Sequence, residues 1–466
     1  MLLVLKTGGD LEAVTVIGAG LAGSEAAWQL ASRGIPVRLM EMRPKAMPPA
    51  HTSADFAELV CSNSLKSDDP TTAAGLQKRE LAALGSLVLL VARETAVPAG
   101  AALAVDRRLF SRRITERLET HPAVTVVREE ATSIPPGDVI VAAGPLASPG
   151  IERALSTLVG EARLAFFDAA SPIVDGATID RTTAFPASRW GKGAGADYLN
   201  CPMDRVRYEA FVGELLAARR VRAKEFEQRE LFAACQPIEE VARSGLDALR
   251  YGALRPVGLS DPRGGERPWA VVQLRPENRA GTAYNLVGFQ TNLTFDEQAR
   301  VFRMIPGLES ADFLRYGVMH RNSFIDAPRL LGPGLALRAA PRVRVAGQLA
   351  GTEGYLEAAA TGLIAALDVW AASTGAQPVL LPKTTAVGSL VAYATDPETD
   401  DYQPMHVNFG LVPPLDPPVR GKRARFAAYA VRAARDLDSF LLARPDILIN
   451  PEDGHPDAPA TAPEVS

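Results

Sequence analysis

Residues 14–41 read VTVIGAGLAGSEAAWQLASRGIPVRLME: a strand, a glycine turn, a helix and a second strand, joined without a linker. Val14, Val16 and Ile17 supply a β-branched run, and Gly18, Gly20 and Gly23 then fall on the three positions of GxGxxG. There the first glycine permits the tight turn, the second lets a pyrophosphate approach the backbone, and the third lets the helix close on the sheet. Phosphates held in this turn face the free N–H groups and positive dipole end of a helix. Ala22, Ala26, Ala27, Leu30 and Ala31 continue at helical spacing, Gly34 is placed as a cap, and Val37 to Met40 resume an extended pattern. Glu41 ends the second strand about 20 residues past the glycines, where a carboxylate accepts hydrogen bonds from an adenosine ribose. In a chain with 38 glycines a lone GxGxxG says little; the strand before it, the helix after it and the acid at the strand end give it weight.

The remaining chain must complete that sheet or interrupt it. Residues 42–75 carry four prolines and no sustained period, which predicts a long loop with one helical turn over 56–60; loops of this length in compact domains are usually functional. Helical spacing returns over 76–94 and 107–118, a strand is expected at 124–127, and DVIVAAG at 138–144 is a strand running into a glycine turn at Gly144. That segment is similar to the short strand that returns under the cofactor in flavoproteins with two dinucleotide folds. From about 167 to 329 the texture changes to short alternating strands, Trp190, a glycine-rich GKGAGAD at 191–197 and a charged helix over 203–230. The buried-strand pattern then returns at 342–345, and RVRVAGQLAGTEGYLEAAATGLIAALDVW is again strand, glycine turn (Gly347, Gln348) and Ala-rich helix. These patterns predict an α/β protein whose Rossmann-like domain is discontinuous in sequence, 13–166 and 330–445, with an inserted α+β domain at 167–329 and a disordered tail at 446–466.

With 47% hydrophobic and 22% charged residues, the 466-residue chain is no largely disordered protein and buries a large core. A net charge of -4 provides no global basic field, although Arg219, Arg220, Arg222 and Lys224, and Arg420, Lys422, Arg423, Arg425, Arg432 and Arg435, form local clusters. Most such runs are solvated helix faces. The apolar run at the N-terminus is too short for a signal h-region, and no unbroken apolar run reaches the roughly 20 residues that span a bilayer, so a soluble, cytoplasmic protein is expected. Cys61, Cys201 and Cys235 are odd in number and not spaced for zinc; no metal is expected, and a cysteine that matters here matters as a thiol.

Cys61 is flanked by polar residues in FAELVCSNSLKS, on the loop leaving the ribose-binding strand, with Lys66 and His51 near in sequence as possible thiolate stabilisers. Buried, inert cysteine is the base-rate alternative. Cys235 in FAACQPIEEVA has the bland context of a helix end, and Cys201 in YLNCPMD is as bland, with no stronger claim from residue chemistry. Tyr355 stands between a glycine turn and a helix start, where an aromatic can stack on a planar ring, while Glu357 and Ala358 read as plain helix-start residues.

Taken together and in order, GAGLAGSEAAWQLASRG, FAELVCSNSLKS, LFAACQPIEEVA and VAGQLAGTEGYLEAAATG resemble the bacterial folate- and FAD-dependent tRNA (uracil-5-)-methyltransferase family, over residues 14–440. The cysteine loop and the GQLAGTEGY turn are more specific than the glycine fingerprint, which a related wobble-uridine-modifying flavoprotein shares. The resemblance implies a GR2-type FAD-binding fold, FAD bound by Gly18, Ala19, Gly20, Leu21, Ala22, Gly23, Glu41, Gly144, Gly347 and Gln348, and reduction by NAD(P)H. It implies that methylenetetrahydrofolate supplies the carbon that methylates C5 of uridine 54 in the tRNA T-loop. It also implies catalytic roles for Cys61, Cys235 and Tyr355. Uracil C5 is a poor nucleophile until a thiolate adds to C6, and its proton must then go to a base, so two thiols can divide the work. The wobble-uridine relative, a plain flavin oxidoreductase and a non-catalytic flavin- and RNA-binding protein are the alternative readings.

Overall fold

The computed structural model describes residues 12–48, 50–159, 163–169, 171–193, 195–221, 236–264, 267–278, 280–317, 319–399, 402 and 404–449. One six-stranded sheet organises them, in the order Ala336–Leu337, Ala340–Val345, Val139–Val141, Val14–Ile17, Val37–Met40 and Val124–Val127. The four pairings beyond the 336–345 edge hairpin are parallel, with Val14 opposite Val37 and Val343 opposite Val139. Val14–Ile17 is buried along its whole length, the pattern of a strand covered on both faces. The sheet therefore takes its strands from both ends of the chain, as the expected discontinuous Rossmann-like fold requires.

Two helices cover the glycine turn. Leu21–Ala31 lies against Tyr355–Thr374 so closely that a Cβ at Gly362 would stand 2.1 Å from the Ala22 carbonyl oxygen, and one at Gly23 1.7 Å from that of Gly18. Only glycine fits either place. Tyr355–Thr374 is long and apolar enough, by length and composition, to cross a membrane, although Glu357 and Asp368 interrupt its apolar run. Here it is a core helix, with Leu363, Ala365, Leu367 and Val369 buried.

Between these ends, a second six-stranded sheet is antiparallel throughout, in the order Phe185–Ala187, Tyr198–Met203, Ala270–Pro276, Ala283–Leu286, Ile173–Asp175 and Phe313–Arg315. It has its own apolar core around Tyr208, Phe211, Phe289 and Phe302. Antiparallel sheet with short helices is the expected α+β texture.

Several local expectations change. The long loop after Glu41 contains a strand, Ser64–Ser67, in a small sheet with Ala102–Val105 and Ala96–Val97, and a turn rather than a helix follows Phe56. The 76–94 pattern is two helices, Ala73–Ala83 and Leu87–Glu94, broken at Gly85 (φ 69°) and restarted by Ser86, whose hydroxyl accepts from the Leu89 N–H. Helices Pro149–Val159 and Ala386–Thr395 add to the expected set; the charged helix from Met203 is described only as Arg205–Ala217, and its expected continuation through 222–230 lies outside the described residues. Of the expected tail, 450–466 also lies outside them, but Ile447 is buried and its carbonyl accepts from Arg33 at 2.5 Å.

Candidate active site

A cavity of about 390 Å³ opens along the carboxyl ends of the parallel strands, lined by Gly18, Gly20, Leu21, Ala22, Glu41, Cys61, Gly144, Gly347, Gln348 and Tyr355. Residues more than 300 positions apart in sequence thus share one wall, at the place where open α/β sheets bind ligands. Ala19 and Gly23 serve from behind: the Ala19 N–H donates to Glu41 at 2.9 Å, and Gly23 gives the helix its close approach. Cys235 lies outside the described residues.

The glycine turns have the conformations a cradle needs. Gly18 (φ 95°) could not carry a side chain, since its Cβ would sit 2.5 Å from the Ala142 carbonyl oxygen, whereas a Cβ at Gly20 meets no atom within 4 Å. The open side of Gly20 faces empty space rather than protein. Glu41 is 5% exposed, and its oxygens accept from the Ala19 N–H, the Arg43 N–H and the Arg43 guanidinium. Burial pushes its carboxyl up, but Arg43 and the two amides outweigh burial and hold it below the usual carboxylate range. A ribose hydroxyl at Glu41 must share an oxygen with Arg43, a competitor that spacing alone did not reveal.

Cys61 sits half-buried on a loop pinned from four directions. The N–H groups of Cys61 and Ser62 donate to the Tyr355 hydroxyl oxygen at 2.8 and 3.1 Å. Arg107 donates to the Leu59 carbonyl at 2.6 Å, and Arg315 to those of Val60 and Cys61 at 3.0 and 3.1 Å. Asn63 takes a bond from Arg275 at 2.8 Å and gives two, to the carbonyls of Val105 and Pro276. Burial, with Cys61 nearby, pushes the Tyr355 phenol far above its ordinary range, so it stays protonated.

The charged neighbours differ from those expected. Lys66 is bonded at 2.7 Å to Glu357, which is fully buried and also accepts from the Val407 N–H, so Glu357 is no plain helix-start residue. The guanidiniums around the cysteine loop come instead from Arg107, Arg275 and Arg315, between 46 and 254 residues past Cys61 in the sequence. No local motif announces them; only the strands and helix that carry them bring them near. Cys201 is different again: it is 0% exposed in the antiparallel sheet, and burial followed by Glu309 and Asp180 pushes its thiol well above the ordinary value.

Of the two basic clusters, Arg219 is paired with Asp296 and Glu297 and Arg220 with Glu240, while Arg222 and Lys224 lie outside the described residues. On the Lys422–Ala443 helix, Arg432 donates to the carbonyls of Pro413 and Pro414 and Arg435 to Asp436, whereas Arg423 and Arg425 are exposed. Among the described residues no group of His, Cys, Asp and Glu is arranged to hold a metal ion.

The family model described as glucose inhibited division protein A matches residues 13–377. Among solved structures, GidA of Aquifex aeolicus (form II crystal) superposes with a TM-score of 0.67 at 17% identity, over 95% of this chain and 75% of that one, a likeness of fold. The methylenetetrahydrofolate--tRNA-(uracil-5-)-methyltransferase TrmFO of Heliobacterium modesticaldum is 54% identical, over 92% of this chain and 98% of its own. That of Geobacter sulfurreducens is 52% identical over 92% and 99%. With a glycine cradle, a cysteine loop and Tyr355 on one cavity, and more than half of the aligned residues shared with these relatives over nearly their whole length, the chain belongs to the methylenetetrahydrofolate--tRNA-(uracil-5-)-methyltransferase TrmFO family.

Proposed function

We propose that this protein forms 5-methyluridine in tRNA, taking its carbon from methylenetetrahydrofolate and its electrons from NAD(P)H by way of FAD, and that the target is the T-loop uridine. The observation that carries the reading is that Cys61 lines the same cavity as the three glycine turns and Tyr355, which puts a thiol beside a dinucleotide cradle. FAD fits that cradle: Gly18, Gly144 and Gly347 all have positive φ, and the open side of Gly20 leaves room for a pyrophosphate. Bound there and reduced, FAD supplies the two electrons that bring a methylene carbon to the methyl level.

The chain's own residues do the rest. The uridine leaves its stack to enter the cavity, as bases that undergo chemistry must. The Cys61 thiolate adds to C6, so that C5 becomes nucleophilic and bonds to the methylene carbon; a base takes the C5 proton as that carbon's bond to its carrier nitrogen breaks, and addition to the carbon of the hydride equivalent that reduced FAD would supply, with expulsion of the thiolate from C6, leaves the methyl group and restores the ring. Cys235 is proposed as that base or its relay. Tyr355 holds the Cys61 loop through two amides and shields the cavity mouth from water. Exposed Arg423 and Arg425 meet tRNA phosphates. The wobble-uridine alternative is not favoured, since the relatives that align across the chain bear the methyltransferase name and the GidA likeness is one of fold.

Incubation of the FAD-loaded protein with unmodified tRNA, NADH or NADPH and methylene-labelled folate tests the reading. Label recovered as 5-methyluridine at the T-loop is expected. Label absent from tRNA, with NAD(P)H still consumed, leaves a flavin oxidoreductase in its place.

A further inference from the structure

Trp190 is 70% exposed and holds a backbone conformation that its side chain disfavours. Its φ of 60° and ψ of 24° are left-handed, a region that bulky residues enter only where the surroundings impose it. Here the Trp190 N–H donates to the Gly258 carbonyl at 2.8 Å, and the ring lies against Gly258, where a Cβ would stand 2.7 to 2.9 Å from three ring atoms. The chain therefore strains its backbone to keep an indole mostly in water, where it contributes little to the fold.

The groups around it are cationic. Arg189 donates to the Gln273 side chain at 2.9 Å and to the Val257 carbonyl at 2.8 Å, exposed Lys192 follows two residues after Trp190, and exposed Arg255 precedes the Gly258 turn. Burial lowers the affinity of Arg189 for its proton, and the nearness of Arg255 lowers it further, a repulsion that an anion between the two relieves. The nearby acids are engaged: Asp69 accepts from Thr71, Asp68 is paired with Arg93, Asp261 with Arg263, and Asp197 accepts from the Gly100 N–H. Among the described residues, none of Arg189, Lys192 and Arg255 has a carboxylate at ion-pair distance.

This loop docks beside the cavity. A Cβ on Gly193 would stand 2.7 Å from the Gly100 Cα, and the Tyr198 hydroxyl donates to the Ala99 carbonyl at 2.9 Å. The next residue, Ala101, accepts at 2.8 Å from the N–H of Asp68, two residues past Lys66 on the cavity wall. The Asp69 carboxyl, held below its usual range first by Thr71, also feels both Lys192 and Arg423, so the glycine-rich loop and the start of the Lys422–Ala443 helix approach the same carboxylate.

An exposed aromatic face among unpaired cations is the chemistry that holds single-stranded nucleic acid, because every base has a face to stack and every nucleotide a phosphate. Paired stems hide those faces, whereas loops offer them. We propose that Trp190 is a stacking platform for an unpaired base of the tRNA, with Arg189, Lys192 and Arg255 on the flanking phosphates, so that the inserted domain grips the RNA beside the cavity. The inference rests on the reading of tRNA as substrate.

The test titrates labelled, unmodified tRNA with the FAD-loaded protein by fluorescence anisotropy over a range of salt. Trp190→Gly removes the ring and suits the left-handed backbone, so its thermal unfolding midpoint should stay near wild type while tRNA binding weakens by about 10-fold at an unchanged salt slope. Trp190→Phe, which keeps a ring, should recover most of the loss. Lys192→Ala with Arg255→Ala should instead reduce the log–log salt slope by about 2. A fully paired RNA should bind wild type and Trp190→Gly alike.

Equal tRNA affinity in wild type and Trp190→Gly overturns the platform. So does a loss of the same size on paired RNA, which marks a disturbed surface instead of a lost stack. Should Trp190→Gly fail to fold, Trp190→Leu, apolar and without a ring, carries the same comparison. Methyl transfer by the wild type with an indifferent Trp190→Gly sinks the platform alone, whereas a wild type that neither binds tRNA nor labels it sinks the functional reading as well.

Discussion

Cys201 and Cys61 share a side chain and little else. Cys201 faces Val272 across an antiparallel ladder with no exposure, and burial together with Glu309 and Asp180 keeps its thiol protonated. Cys61 rides a half-buried loop that no ladder holds; side chains of Arg107, Arg315 and Tyr355 take its backbone groups instead, and Arg275 donates to the Asn63 side chain. A strand satisfies its polar groups from a neighbouring strand and leaves a thiol to pack as a small hydrophobe. A loop must be satisfied by whatever side chains reach it, and here they are those of Arg107, Arg315 and Tyr355.

The contrast breaks first on activity. Cys61→Ala should reduce methyl transfer to background while Cys201→Ala stays near wild type, and tRNA carrying 5-fluorouridine at the target should become covalently attached to the wild type and to Cys201→Ala but not to Cys61→Ala. An adduct mapped to Cys235 would exchange the roles of the two proposed thiols. Next in size, Gly20→Val places a branched side chain in the open cradle and should leave the purified protein without flavin absorbance; stoichiometric FAD in that variant would refute the placement.

Charges that are spent and charges that are exposed should differ in the same way as the cysteines. Arg423→Ala with Arg425→Ala is expected to flatten the salt dependence of tRNA binding by about 2 in log–log slope, whereas Arg219→Ala, whose charge is held by Asp296 and Glu297, should barely alter it. Equal slopes for both variants would remove the Lys422–Ala443 helix as a footprint. A smaller effect is reserved for Tyr355→Phe, which strips the acceptor from two amides at a cost of about 1 to 3 kcal/mol. It should appear as faster hydrogen exchange at Cys61 and Ser62, with the global unfolding midpoint less affected. Smallest, Cys201→Ala should cost about 1 to 2 kcal/mol of unfolding free energy, the price of a small cavity, and a larger loss would mean that its sulfur has a partner beyond packing.

The first sheet was legible because its signals are local. Val14–Ile17, the glycine turn and the Leu21–Ala31 helix are specified by neighbours a few residues away, and the second copy of the pattern at 340–374 told where the chain comes back. The helix break at Gly85 and the strand at Ser64–Ser67 were missed, since a 3.6-residue period runs on through a capped break and a four-residue edge strand has too little alternation to be seen.

What the sequence determined by itself is the set of parts: a glycine cradle that only glycine can make, an acid at a strand end, a polar cysteine loop and an aromatic at a helix start, each defined by backbone geometry or residue chemistry at short range. What only the tertiary structure decided is which charges those parts meet. Glu41 is engaged by Arg43, Lys66 is turned to Glu357 instead of the thiol, and Cys61 is surrounded by arginines from a helix and two strands of separate regions. Hydrogen-bonded geometry propagates along the chain, but electrostatic surroundings depend on distances through space, and those are set by how the two sheets pack together.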